Sequence, residues 1–226
     1  AGDESKATLT ADYAWGRRYR VNGGNTVLIT IDNPGPAFEG SLILRWGHSE
    51  LTQGVKKPTP ATLDGAVGFT YEYPVVIPEK TQRRHFAYVQ GHESTSHQLW
   101  IFLQSEERTI DRFAVMGLAA DKEKPIVAEL GTTPAPGLPG SGADVAHARA
   151  DELPDRWFGF EGLHALLWLD ADAATLPDPA QIESLHQWIA TGGHLIVARS
   201  NTVGLSGTFL EKLLPVTLRE PRMNSD

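Results

Sequence analysis

The sequence predicts two domains, an all-β antiparallel sandwich followed by an α/β unit on a parallel sheet. Three observations carry this. From Ala7 to Val115 the apolar residues come in short alternating runs separated by Pro, Gly, Asn and Asp. From Leu163 to Ala198 the chain reads as strand, crossover loop, amphipathic helix, Gly-Gly stop and second strand. Between the halves, Met116 to Lys124 is a polar connection, which sets the expected domains at residues 1–118 and 119–226.

Composition narrows the function classes. The chain has 226 residues, 41% of them hydrophobic, enough for two cores. No run approaches the ~18–20 apolar residues of a membrane span. Cysteine is absent, which excludes disulfides, thiolate catalysis and Cys-ligated zinc. The net charge of -8 is uneven: residues 1–115 hold 12 Lys+Arg against 13 Asp+Glu, residues 116–226 hold 8 against 15. With no basic face and an acidic second half, a nucleic-acid partner is not expected. The first residues, AGDESK, and the polar close, PRMNSD, read as the ends of a soluble fragment excised from a longer protein.

In the first half, Thr26–Ile31 is a strand and Asp32-Asn-Pro-Gly-Pro36 a turn. Ser41–Trp46 is the next strand, and residues 47–64, with Pro58 and Pro60, a long loop. Gly68–Tyr73 alternates until Pro74 breaks it, and Val75–Ile77 leads to Pro78. Arg84–Val89 and Gln98–Leu103 follow. The charged turn Ser105–Arg108 then gives way to Thr109–Val115. Strands at this spacing make an immunoglobulin-like sandwich, here without the usual cysteine bridge.

In the second half, Pro125–Leu130 is an apolar strand, residues 131–142 a Gly/Pro/Ser-rich loop, and Ala143–Ala148 a short strand. Asp151–Phe160 is a connector whose aromatics pack on the sheet. His164–Leu169 reads as a parallel strand covered on both faces. Pro177 and Pro179 fix the helix start near Asp178, its N-cap. Ile182, Leu185, Trp188 and Ile189 share one face, and Gly192-Gly193 closes the helix. Leu195–Ala198 is the next buried strand, giving a right-handed crossover. Residues 207–215 read as a short helix ending before Pro215, and Val216–Leu218 as a last strand.

The pattern WFGFEGLHALLWLD, helix, WIATGGHLIVA, GTFLEKLLPV resembles the class I glutamine amidotransferase-like domains. It is most similar to those that follow an immunoglobulin-like domain in membrane-anchored bacterial proteins. IDNPGPAFEGSLILRW and YPVVIPEKTQRRHFAYV resemble the sandwich of that group. The resemblance implies an extracytoplasmic location and a truncated amidotransferase/flavodoxin-like sheet. In active members a Cys occupies the turn after the strand matched by Leu195–Ala198. This chain has Arg199-Ser200-Asn201 there, so no catalytic residue carries over.

Candidate site residues are few. Ser200 sits at the position of a nucleophile elbow, but its flanks are not glycines and no base is placed beside it. Asp170, Asp172 and Asp178 cluster at the carboxyl end of a strand, where open α/β sheets bind ligands. Asp-x-Asp suits Ca²⁺ or Mg²⁺, and helix capping or a solvated loop accounts for it equally well. His85, His92 and His97 straddle one hairpin at spacings that match no standard metal site. His186 is expected to pack or face solvent, and His164 and His194 to begin strands. Trp157, Phe158 and Phe160 suit packing better than ligand stacking. The expectation is a non-catalytic, cofactor-free protein-binding or sensing module. It would bind a protein partner at the cell envelope, on the periplasmic or extracellular face of the bacterial inner membrane. The alternatives are a hydrolase or transferase acting through Asp170 and Asp172, and a carbohydrate-binding module using exposed aromatics of the sandwich.

Overall fold

A computed structural model describes residues 7–48, 58–63, 65–93, 96–106, 108–121, 123–131, 142–169, 178–198, 205 and 207–215. The chain falls into two compact units, residues 1–123 and 124–226.

The first unit is built from β1 (Thr8–Tyr13), β2 (Arg18–Tyr19), β3 (Gly24–Asn33), β4 (Phe38–His48), β5 (Val67–Ile77), β6 (Thr81–Gln90), β7 (His97–Ser105), β8 (Arg108–Val115) and β9 (Leu118–Ala119). Two antiparallel sheets, ordered β1-β3-β6 and β5-β4-β7-β8, carry the core. Their apolar faces meet in one cluster that includes Val27, Ile29 and Ile31 from one sheet and Leu42, Leu44, Leu99, Ile101 and Leu103 from the other. This is the alternation of the sequence turned into two inward faces. The polar stretch after Val115 contains β9, which pairs in parallel with β2, and Ala120 N–H bonds Tyr19 O.

Side chains close both open sides of the sandwich. On one side the Tyr73 hydroxyl donates to Tyr88 O and accepts from Tyr88 N–H, each at 3.1 Å, and the Tyr71 hydroxyl accepts from Gln90 N–H at 2.9 Å. Two tyrosines of β5 thus occupy outward backbone groups of β6, an edge strand. On the other side Asp111 of β8 accepts from Leu9 N–H of β1 at 2.7 Å.

The outer face of the four-stranded sheet is also apolar at its centre. Trp100 and Phe102 pack there with Leu63, beneath a strap formed by residues 58–63. Arg45 donates to Pro60 O at 2.6 Å and Arg112 to Pro58 O at 2.7 Å, which ties the strap down.

Pro74 does not break its strand, contrary to expectation. β5 runs unbroken from Val67 to Ile77, with Pro74 opposite Ser41. β5 is an edge strand, where a residue without an N–H costs no ladder bond. After β1, Trp15, Gly16 and Arg17 all take left-handed backbone angles, with φ of 61°, 65° and 65°. That turn carries the chain into β2, and the buried Trp15 ring anchors it.

The second unit contains a parallel sheet ordered β11-β10-β12-β13. Its strands are β10 (Ile126–Leu130), β11 (Asp144–Ala148), β12 (Ala165–Trp168) and β13 (Leu195–Val197). Helix α1 (Pro179–Ala190) links β12 to β13, and the short α2 (Phe209–Leu213) follows. The α1 stripe packs on the connector before β12: Trp188 stacks on Phe160 at 5.1 Å, and Gln181 donates to Leu153 O at 2.5 Å. Phe209 of α2 meets Trp168 edge-on at 5.5 Å. Gly192, at φ 106°, ends α1, and Gly193 N–H returns to Trp188 O. The expected strand Val216–Leu218 lies outside the described residues. No helix among the described residues is long and apolar enough to cross a membrane.

Tyr73→Phe removes a hydroxyl and strands two backbone groups of β6. We expect it to destabilise the first unit by about 1–2 kcal/mol. Urea unfolding followed by tryptophan fluorescence measures this, and an unchanged midpoint would show that the edge is closed in another way.

Candidate functional sites at the sandwich end and the sheet edge

Val67, Trp46, Leu99 and Val115 are partners in one row across the four-stranded sheet. The residues just beyond that row form one end of the sandwich, which is rich in aromatic and imidazole rings. A hollow of about 310 Å³ there is lined by Tyr13, Tyr19, Trp46, His97, Met116 and their neighbours. A second, of about 210 Å³, includes Asn22, Trp46, Phe69, Tyr71, His92 and Glu93. The Trp46 ring separates them, held by its indole N–H on Gln90 O at 3.0 Å. Tyr13 and Tyr19 stack at 5.1 Å, and burial, with each ring near the other, pushes the Tyr13 phenol well above its ordinary range. These tyrosines are therefore neutral, apolar walls. Phe69, Met116 and Leu118 are 71%, 60% and 67% exposed at the same end.

Three histidines meet there, and they are not the three the sequence grouped. His97 stacks on His48 at 4.9 Å between ring centroids and lies 4.3 Å from His92. His48 is the register partner of His97 across β4 and β7, a long-range pairing that sequence spacing does not show. His85 lies apart, in the middle of β6 opposite Ile29. Among the described residues no three His, Asp or Glu side chains converge as a metal site. Burial first, then His92 and His48, lower the pKa of His97 below the ordinary histidine value, and burial with Arg83 does the same for His85.

In the second unit, Asp178 is the N-cap of α1, its carboxylate accepting from Ala180 N–H at 2.8 Å. The structure thus gives Asp178 the capping role. Asp170, Asp172 and Ser200 lie outside the described residues. Trp157 and Phe158 are partly exposed and meet edge-on at 5.9 Å, whereas Phe160 is buried on α1. His164 and His194 precede β12 and β13 and lie together, His194 Nδ1 3.3 Å from His164 O. His186 sits on α1 with its Nε2 buried.

Sequence reasoning passed over Glu129. It lies on the central strand β10, is 2% exposed, and has His147 Nδ1 3.2 Å from its Oε2. Among the described residues neither carboxylate oxygen has a hydrogen-bond partner. The signal was present: Glu129 is the one charge in a strand whose five residues are all buried.

No protein-family model and no curated protein matches the chain. Among solved structures, it is similar to a cycloisomaltooligosaccharide glucanotransferase from Paenibacillus sp., at 12% identity and a TM-score of 0.34, over 84% of this chain and 28% of the enzyme. A CARDB domain from Pyrococcus furiosus aligns at 8% identity and a TM-score of 0.33, over 53% of this chain and 92% of the domain. A beta-glucosidase from Listeria innocua aligns at 12% and 0.29, over 51% of this chain and 16% of the enzyme. The chain thus spans little more than a quarter of the glucanotransferase, and likeness at these scores assigns no function.

Two outcomes follow. Asp178→Ala should cost about 1 kcal/mol of stability through loss of the cap. An effect within 0.3 kcal/mol, about the additivity error of such measurements, would contradict the capping role. His97 is protonated less readily in the folded state than in the unfolded chain, whose histidine value is 6.5. Its stabilising share is therefore present above that pH and is lost as pH falls through the lowered folded value. His97→Gln should flatten the fall in melting temperature between about pH 7 and pH 5, and an unchanged slope would contradict this.

Proposed function

We propose that this chain is a non-catalytic binding module at the bacterial cell envelope, carried on the periplasmic or extracellular face of the inner membrane. The aromatic end of its sandwich would contact a protein partner. The observation that carries this is the exposure of Phe69, Met116 and Leu118 beside the two hollows flanking Trp46. Monomeric proteins rarely leave large apolar groups clustered in water unless the surface is used. A protein surface is favoured because the three exposed side chains are apolar and the hollows beside them are open.

The finer fold assignments belong to the same proposal. An immunoglobulin-like reading of the first unit is supported by its three-on-four strand arrangement and its repeated crossings between sheets. A degenerate class I glutamine amidotransferase-like reading of the second unit is supported by the quoted motifs and by a parallel sheet with α1 in a crossover. With no cysteine in the chain, thiolate amidotransfer has no nucleophile. Membrane anchoring rests on the resemblance alone.

The test is chemical crosslinking in native cells, with mass spectrometry of the membrane fraction. One or two envelope proteins should be recovered reproducibly. The double substitution Phe69→Ser and Leu118→Ser should reduce that recovery at least tenfold with little change in melting temperature, because both side chains are exposed. Equal recovery with the double variant would sink the proposal. Specific glycan binding lost on Phe69→Ser would move the assignment to the carbohydrate-binding alternative.

A further inference from the structure

We propose that the imidazoles of His48, His92 and His97 make partner binding at the aromatic end of the sandwich pH-dependent, with the partner held at neutral pH and released as the surroundings acidify. This rests on the reading of that end as a binding face. The three rings come from three places in the chain and meet at one corner. His48 closes β4 and His97 opens β7, and they are the last register pair of those strands. His92 follows β6. His97 stacks on His48 at 4.9 Å, with 25° between the ring planes, and lies 4.3 Å from His92. The group spans both hollows: His97 lines one, and His92 lines the other, where Phe69 also lies.

Packing at these distances suits neutral rings. Unit charges about 4–5 Å apart repel even in water, which spaces successive protonations by about 0.5–1 pH unit. The groups packed around the cluster do little to offset that charge. The Tyr13 and Tyr19 rings beside His97 are neutral phenols. The Ser96 hydroxyl lies 3.3 Å from His97 Nδ1, and the backbone of Gly65 lies against the His48 ring. Among the described residues the charges acting on His97 are those of His92 and His48. Glu93, next to His92, is the acid lining the second hollow, so one carboxylate stands against three imidazoliums. An apolar partner laid over the two hollows strips water from the rings, and loss of water disfavours the charged form. Binding therefore selects the neutral cluster, and by linkage each proton taken up by the free chain weakens binding. Affinity is full above about pH 7 and falls as pH drops through and below the ordinary histidine range.

The test uses native membrane fractions from cells whose protein carries a photoreactive residue at position 69, irradiated at about pH 7.5 and about pH 5.5. The crosslink yield should fall about fivefold or more at the lower pH. The triple substitution His48→Gln, His92→Gln and His97→Gln should shrink that ratio to below about twofold, whatever its yield at neutral pH, while His194→Gln in the second unit should keep it. If the triple variant fails to fold, the exposed His48→Gln decides, through NMR titration of the histidine ring protons in the purified chain. Loss of His48 should move the His97 midpoint up by about 0.5 pH unit. Equal yield at both pH values would overturn the pH dependence and leave the binding face standing. A fall of the same size in the triple variant, or an unmoved His97 midpoint, would also overturn it, as would loss of the folded circular-dichroism signal at the lower pH. No crosslink at neutral pH would overturn the binding face, and this proposal with it.

Discussion

Strand β7 has to be covered on both faces, and the first unit is arranged to satisfy that. Leu99 to Leu103 are five consecutive buried residues. Leu99, Ile101 and Leu103 face the three-stranded sheet, and Trp100 and Phe102 face the opposite way. Each such side chain gains about 1.5–3 kcal/mol on full burial, so neither face can be left to water. The inner face is covered by the β1-β3-β6 sheet. The outer face needs the strap at residues 58–63, and the strap in turn needs Arg45 and Arg112 to occupy its carbonyls. The tyrosine and aspartate contacts along the sandwich edges follow from the same layering, because two stacked sheets leave backbone groups open at each side.

The burial that builds the middle of the sandwich leaves its end less complete. Beyond the row through Trp46 and Leu99, β4 and β7 continue for two more pairs, Gly47 with Gln98 and His48 with His97, while β5 and β8 stop at that row. Phe69 lies where β5 bulges against β4, between Val67 and Tyr71, and is exposed. Imidazoles and aromatic rings fill part of the space and leave two hollows. The second unit shows the opposite situation. Its inner strands β10 and β12 are well covered, whereas β13, expected to be buried, leaves Ile196 49% exposed at the sheet edge; its anomaly is a charge inside the core. In one unit apolar groups are left in water, and in the other a carboxylate is taken out of it. The carboxylate has His147 as its ion partner, whereas the exposed apolar groups are a cost to folding that a binding role would explain.

Most of the fold was legible in the sequence because burial imposes a period. The strands around Thr26–Ile31, Ser41–Trp46, Arg84–Val89 and Gln98–Leu103 showed themselves by alternation and turn residues, and α1 by Asp178, Pro179 and the Gly192-Gly193 stop. Pro74 was misread because edge position is a property of the sheet and not of the local sequence. The histidine cluster was misassembled for the same reason: His48 reaches His97 through strand register, across 49 residues of chain. Glu129 was legible in principle, as a lone acid in an apolar run, but its burial depends on neighbours that local pattern does not reveal. Of the residues proposed for a site, Asp178 has a structural role that capping chemistry already accounts for.

The measurement that bears most directly on the account is site-specific photo-crosslinking in native cells. A photoreactive residue at position 69 would be compared with one at position 80, in the turn between β5 and β6. The length of β5 from Phe69 to Ile77 separates the two positions by about 25 Å. The account predicts a discrete crosslink to an envelope protein from position 69 and none from position 80. Equal labelling from both positions, or labelling from position 80 alone, would contradict the assignment of the aromatic end as the binding face.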